Sequence, residues 1–117
     1  WEPLLYARHQ LVMQSRLANK PKPLDGVSVE INDIDAVSKA AMRARAMGFG
    51  GKLLIHPKHA EPVMAAFVPD RETYQWALAA VGQSDKGAAV KMDGQMLDLP
   101  VIKKAKQIIR DYENHNK

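Results

Sequence analysis

Two short stretches of strand-forming residues, Val27-Ser28-Val29-Glu30-Ile31 and Leu53-Leu54-Ile55, are separated by one helix-length segment. That spacing constrains the fold more than any other feature of the chain. In the first stretch, apolar and polar residues alternate, as in a strand with one covered face. The second is a short apolar run, suited to a strand covered on both faces of a parallel sheet. Between them, Asp33 is placed to cap a helix whose buried stripe is Ile34, Val37, Ala41 and Ala44. Gly48 can take the left-handed position that ends it. A helix from Pro3 to Ala18 precedes this unit, broken by Pro21 and Pro23. A short helix through Val63 and Phe67 follows it. The order α-β-α-β-α with short connections is the grammar of a parallel α/β fold.

Two strands cannot make a stable parallel sheet alone. The opening helix carries Leu4, Ala7, Leu11 and Ala18 at helical spacing, with Leu5 and Val12 beside them, and nothing in the chain precedes it to cover that face. Both points lead us to expect a chain cut inside a larger domain, rather than one with a trimmed tag or a mature N-terminus.

The tail of the chain changes character. Pro69-Asp70 opens a helix with Tyr74, Ala77, Leu78 and Val81 on one side, and residues 82–87 read as a loop. Ala88–Met92 and Gln95–Leu97 flank Asp93-Gly94, a strong hairpin-turn signal. Pro100 then starts a last helix with Val101, Ala105, Ile108 and Tyr112 on its apolar face. The expected division is therefore 1–68, the last strands and helices of an α/β barrel, and 69–117, a helix–hairpin–helix extension.

Composition removes several function classes. The chain has no cysteine, which excludes disulfides and thiolate metal sites and fits a reducing, cytoplasmic compartment. No apolar run reaches the roughly 18 residues that a membrane helix needs, and no signal peptide is visible. The net charge is +4, and its only concentration is Lys103, Lys104, Lys106 and Arg110 on the last helix. A solvated helix face accounts for these better than a polyanion site, because no aromatic residues interleave with them. A non-catalytic oligomerisation or polyanion-binding module is the competing reading. It predicts a cooperatively folded chain, with steeply salt-dependent binding if the partner is nucleic acid.

In an α/β barrel, chemistry sits where strands end and βα loops begin. Two loops qualify: Asn32-Asp33, and His56-Pro57-Lys58-His59. His56 can act as an acid/base group or ligand contact, yet a His-Pro at a strand end is more often a rigid turn whose imidazole bonds to backbone. His56 and His59 are three apart, but Pro57 lies between them and no third ligand is evident, so a zinc site is rejected. Asp98, just before Leu99-Pro100, reads first as a helix cap, and Asp25 before Gly26 reads as a turn residue. Dinucleotide, P-loop and nucleophile-elbow motifs are absent.

The segment Gly48-Phe49-Gly50-Gly51-Lys52-Leu53-Leu54-Ile55-His56-Pro57 resembles the citrate lyase β-subunit family, which includes malyl- and citramalyl-CoA lyases. Asp93-Gly94-Gln95-Met96-Leu97-Asp98-Leu99-Pro100 is similar to a second family motif, and Leu4-Leu5-Tyr6-Ala7-Arg8 and Leu24-Asp25-Gly26 fit in order. The resemblance covers essentially the whole chain. It implies the C-terminal part of a (β/α)8 barrel with an extension, usually a homotrimer. The implied activity is Mg2+-dependent cleavage or condensation of a hydroxyacyl-CoA thioester. It also implies that the magnesium ligands, a Glu and an Asp, lie upstream of Trp1, so that these 117 residues alone do not catalyse. For Asp98 it implies a catalytic carboxylate reaching a neighbouring subunit, which turns the balance from cap to catalyst and leaves open that one carboxylate does both jobs in different states. For the loop at His56 and Pro57 it implies a contact to the coenzyme A arm.

Overall fold

The computed structural model describes residues 2–84, 90–92 and 95–116. It divides into two compact units, Trp1–Phe67 and Val68–Lys117.

The first unit opens with a 3-10 turn, Glu2–Leu4, that runs into helix α1, Leu5–Leu17. No residue of α1 is buried, and Leu11, Met13 and Leu17 are about half or more exposed. Strand β1, Leu24–Asp25, pairs in parallel with strand β2, Gly51–Lys52, and helix α2, Ile34–Met47, connects them. A 3-10 turn, Pro57–His59, leads into helix α3, Ala60–Phe67. The core joins Val37 and Ala41 of α2 to Val63 and Ala66 of α3, with Phe67 packed against them. Arg45 on α2 donates to the Ala66 carbonyl at 3.0 Å, tying the same two helices at their far ends.

Local chemistry sets the ends of α2. The Asp33 carboxylate accepts from Ala36 N–H at 3.0 Å, satisfying one of the first-turn donors that have no helical partner. At the other end, Gly48 has φ +108°, and its N–H bonds to the Arg45 carbonyl at 3.0 Å. A side chain there would be strained, and its Cβ would stand 2.8 Å from Val12 Cγ1 of α1. Ile34, expected in the buried stripe, is 39% exposed instead.

Both strand expectations need correction. The ladder forms at Leu24–Asp25 and Gly51–Lys52, upstream of Val27–Ile31 and Leu53–Ile55. It is extended at its two ends by Gly50 N–H to the Pro23 carbonyl, 2.9 Å, and Leu53 N–H to the Asp25 carbonyl, 3.0 Å. The alternation over 27–31 is real, but the inward residue is Ser28, 8% exposed, while Val27, Val29 and Ile31 face outward. Strand propensity states what fits a pleated, half-covered surface; it cannot say which residues find a partner strand. Here the ion pair between Asp25 and Lys52 coincides with the register, and the chain leaves the ladder just beyond it.

The second unit contains helix α4, Arg71–Ser84, an antiparallel pair β3, Val90–Met92, and β4, Gln95–Leu97, and helix α5, Leu99–His115. The pairing runs Val90 to Leu97, Lys91 to Met96 and Met92 to Gln95. Asp93-Gly94, expected as the turn, lies outside the described residues. Helix α4 continues through Gly82 and Ser84, where a loop was expected. One glycine costs a helix only about 1 kcal/mol, and Val81 is held against the core at that end. The core is Ala77, Ala80, Leu97, Ile102 and Ala105. The Tyr74 and Tyr112 rings stack at 4.1 Å and 9° between α4 and α5. Asp70 caps α4 by accepting from Thr73 N–H at 2.7 Å.

Candidate functional site

In the first unit, the segments that follow the two strands meet. His59, 1% exposed, points its Nε2 at the Glu30 carbonyl, 3.1 Å, and the Ile31 carbonyl, 3.3 Å. Both partners are acceptors, so the ring nitrogen must carry the proton and donate. Lys58 Nζ lies 3.5 Å from Asn32 Oδ1, joining the same two segments at the surface. Beside this seam is an open, largely apolar groove of about 510 Å³, lined by Ile34, Lys58, Glu61, Pro62 and Ala65.

His56 and Pro57 lie on that seam. His56 is extended at φ −147°, ψ 140°, and its Nδ1 accepts from Lys58 N–H at 3.1 Å, with Pro57 as the first residue of the turn. The imidazole thus caps the turn, and its ring centroid is 6.2 Å from that of His59.

Asp25 is not an exposed turn residue. It is a strand residue, 2% exposed, between two cations. Arg8 of α1 bonds one carboxylate oxygen, and Lys52 of β2 lies 3.2 Å from the other. Lys52 also donates to the Gly26 carbonyl at 2.6 Å. The Arg8 guanidinium sits 5.8 Å above the Phe49 ring. Helix α1 and both strands are joined by charge, and a carboxylate buried this deeply needs such partners.

Asp98 belongs to the second unit. Its carboxylate accepts from Val101 N–H at 3.2 Å and caps α5, and the residue is exposed. In the same unit, the Tyr74 hydroxyl donates to Glu113 Oε1 at 3.0 Å. That bond, then partial desolvation and the nearby negative charge, raise the phenol pKa above its ordinary value.

Sequence reasoning missed two features, the buried cluster around Asp25 and the bond from His59. Asp25 had a usable signal: a parallel alignment that puts Leu24-Asp25 beside Gly51-Lys52 juxtaposes opposite charges on one face. His59 had none, since a histidine two residues past a proline looks the same whether it faces solvent or two carbonyls 28 and 29 residues away.

Magnesium does not fit the residues present. Among the described residues, no group of three or more His, Asp or Glu side chains could hold a metal ion. Asp25 is engaged by two cations and Asp98 by a helix end. Also among the described residues, no helix is long and apolar enough to cross a membrane.

No family model matches the chain. Individual proteins do. The mitochondrial citramalyl-CoA lyase of Mus musculus is 33% identical over 114 residues, which is 92% of this chain and 33% of that protein. A citrate lyase subunit β-like protein of Mycobacterium tuberculosis strain CDC 1551 is 35% identical over 89 residues, 74% of this chain and 32% of that protein. Among solved structures, CitE of Mycobacterium tuberculosis, in complex with magnesium, acetoacetate and coenzyme A, superposes with a TM-score of 0.81 at 28% identity. That match covers 92% of this chain and 40% of that one. A citrate lyase of Burkholderia xenovorans shares the fold at a TM-score of 0.77 and 23% identity. The chain spans about a third of the length of the relatives it matches. Over that span, in sequence and in fold, the chain belongs to the citrate lyase β-subunit-like family.

Proposed function

We propose that these residues form the C-terminal part of a (β/α)8 barrel lyase that cleaves, or in reverse condenses, a hydroxyacyl-CoA thioester such as citramalyl-, malyl- or citryl-CoA. The observation that carries the reading is the 0.81 superposition over 92% of the chain on a protein bound to magnesium, acetoacetate and coenzyme A. The structure adds a physical reason for a larger barrel. Leu24, Val29, Leu53 and Ile55 are about half or more exposed around a two-stranded parallel ladder, and parallel sheets are ordinarily covered on both faces.

Cleavage breaks the bond between the thioester α-carbon and the hydroxyl-bearing carbon. The hydroxyl gives its proton to a base outside these residues and becomes a carbonyl, and the α-carbon, left as an enolate, takes a proton from a carboxylic acid. Asp98 is the group we assign to that proton: donor in cleavage, acceptor in condensation, acting in a neighbouring subunit of a homotrimer. A positioned carboxylate contributes roughly 10²–10⁴-fold. The cap it now makes to Val101 holds the carboxylate in one orientation at the start of α5. The turn at His56 and Pro57, with the groove beside it, meets the coenzyme A arm. Magnesium, held by residues outside this set, would stabilise the oxyanion of the keto acid; the chain's own share is binding and proton transfer. A cytoplasmic setting fits the cysteine-free composition.

The test is turnover of the polypeptide that carries this chain, assayed on acyl-CoA thioesters with Asp98→Asn. Asparagine caps a helix about as well as aspartate, so folding is preserved while the proton is lost. Turnover is expected to fall at least about tenfold. Unchanged turnover would leave Asp98 a helix cap only.

A further inference from the structure

We infer that His59 is a positioning residue: its bond to the Glu30 and Ile31 carbonyls locks the two post-strand segments together and so fixes the separation of the walls of the groove beside them, where the thioester is to bind. This rests on the lyase reading above, and the test separates the two.

Three observations support it. First, His59 is 1% exposed and its Nε2 is directed at two consecutive carbonyls, on residues 30 and 31, just past the described ladder. A buried imidazole N–H without an acceptor is costly, so these two carbonyls supply what the buried ring needs and tie their segment to it. Second, the bond spans the seam. Residues 30 and 31 lead directly into Asn32, Asp33 and the start of α2, while His59 ends the turn that leads into α3. Third, the groove has a wall on each side. Ile34 stands at the first turn of α2, and Lys58, Glu61, Pro62 and Ala65 stand on the turn and α3. The surface contact between Lys58 and Asn32 is 3.5 Å long and exposed, too weak to set the separation of the walls by itself. The backbone N–H of His59 bonds to the His56 carbonyl at 3.0 Å, so the anchor and the proposed coenzyme A contact are parts of one rigid turn.

The polypeptide carrying this chain is compared as wild type, His59→Leu and His59→Gln. Leucine keeps bulk but removes the donor; glutamine keeps an N–H that can reach a carbonyl. Two readouts are taken: steady-state kinetics on an acyl-CoA thioester, and amide hydrogen exchange of residues 27–33 without substrate. His59→Leu is expected to raise KM about fivefold or more with kcat within about twofold, and to lower protection of 27–33 about tenfold or more. His59→Gln is expected to restore most of both. Unchanged KM and protection in His59→Leu overturn the inference. So does equal damage in both variants, which marks simple packing, or a fall in kcat at constant KM, which marks a role in the chemistry. Should His59→Leu not fold, His59→Asn replaces it; its shorter amide is expected to give the same two shifts relative to His59→Gln. If the wild type shows no acyl-CoA turnover, the lyase reading falls. The exchange data then decide alone: lost protection supports the lock, and retained protection removes it.

Discussion

Asp25 and Lys52 stand in register on the parallel pair β1–β2, with Lys52 Nζ 3.2 Å from Asp25 Oδ2 and both side chains 3% exposed. Arg8 completes the cluster from α1. A single carboxylate therefore neutralises charge from two other elements. Its loss is predicted to be worse than the loss of Lys52, because the charge that Lys52 faces across the ladder and that Arg8 also bonds would then be removed at once. Asp25→Asn is expected to destabilise by about 3–5 kcal/mol, and Lys52→Met by less, since Arg8 still pairs with the carboxylate. Urea unfolding of the polypeptide carrying this chain checks the order; equal costs would show that the cluster does not share its charge in this way.

Gly48 ends α2 at φ +108° with α1 pressed against it. Gly48→Ala adds both a left-handed backbone penalty and a 2.8 Å approach to Val12 Cγ1. About 1–3 kcal/mol should be lost. Thermal unfolding of Gly48→Ala, alone and with Val12→Ala, separates the two causes: relief of the contact should recover only part of the loss.

At α5, capping and chemistry can be separated in Asp98. Asp98→Ala should cost about 1 kcal/mol of stability and Asp98→Asn only a few tenths, although both remove the carboxylate. Comparing unfolding midpoints with turnover for the pair therefore reports the two roles independently. Matching losses of stability and turnover across the pair would argue that activity follows the cap alone.

The Tyr74 phenol has a raised pKa because its hydroxyl donates to Glu113. A raised folded-state value favours the neutral phenol. Its contribution is thus fully present below the ordinary tyrosine pKa of about 10 and is lost as pH rises through the higher folded value. Glu113→Gln should move the Tyr74 titration downward, toward the ordinary range. The ring-carbon shift of labelled tyrosine followed through alkaline pH measures it, and an unmoved midpoint would remove Glu113 as the cause.

Much of this protein could be read from neighbouring residues alone. Asp33 caps the helix it was expected to start, Asp98 makes the cap that its residue type and the following proline alone suggested, and Gly48 takes the left-handed position at the end of α2. Each of these rests on bonds spanning only a few residues, so residue type and spacing suffice. The family motifs were equally legible, because they are contiguous. What depended on distant partners was not. The alternating run 27–31 looked like a strand but has no ladder, since pairing needs a neighbour whose register only the fold supplies. Asp25 read as a turn residue until Arg8 and Lys52, 17 and 27 positions away, closed around it. His59 acquired a role only when the chain brought the Glu30 and Ile31 carbonyls to its ring. Helix ends, caps and motifs were set by the sequence itself, because their energies are local. Register, buried charge and the lock between the strand-end segments were decided by tertiary structure, because each needs two groups far apart in the chain to exclude water together.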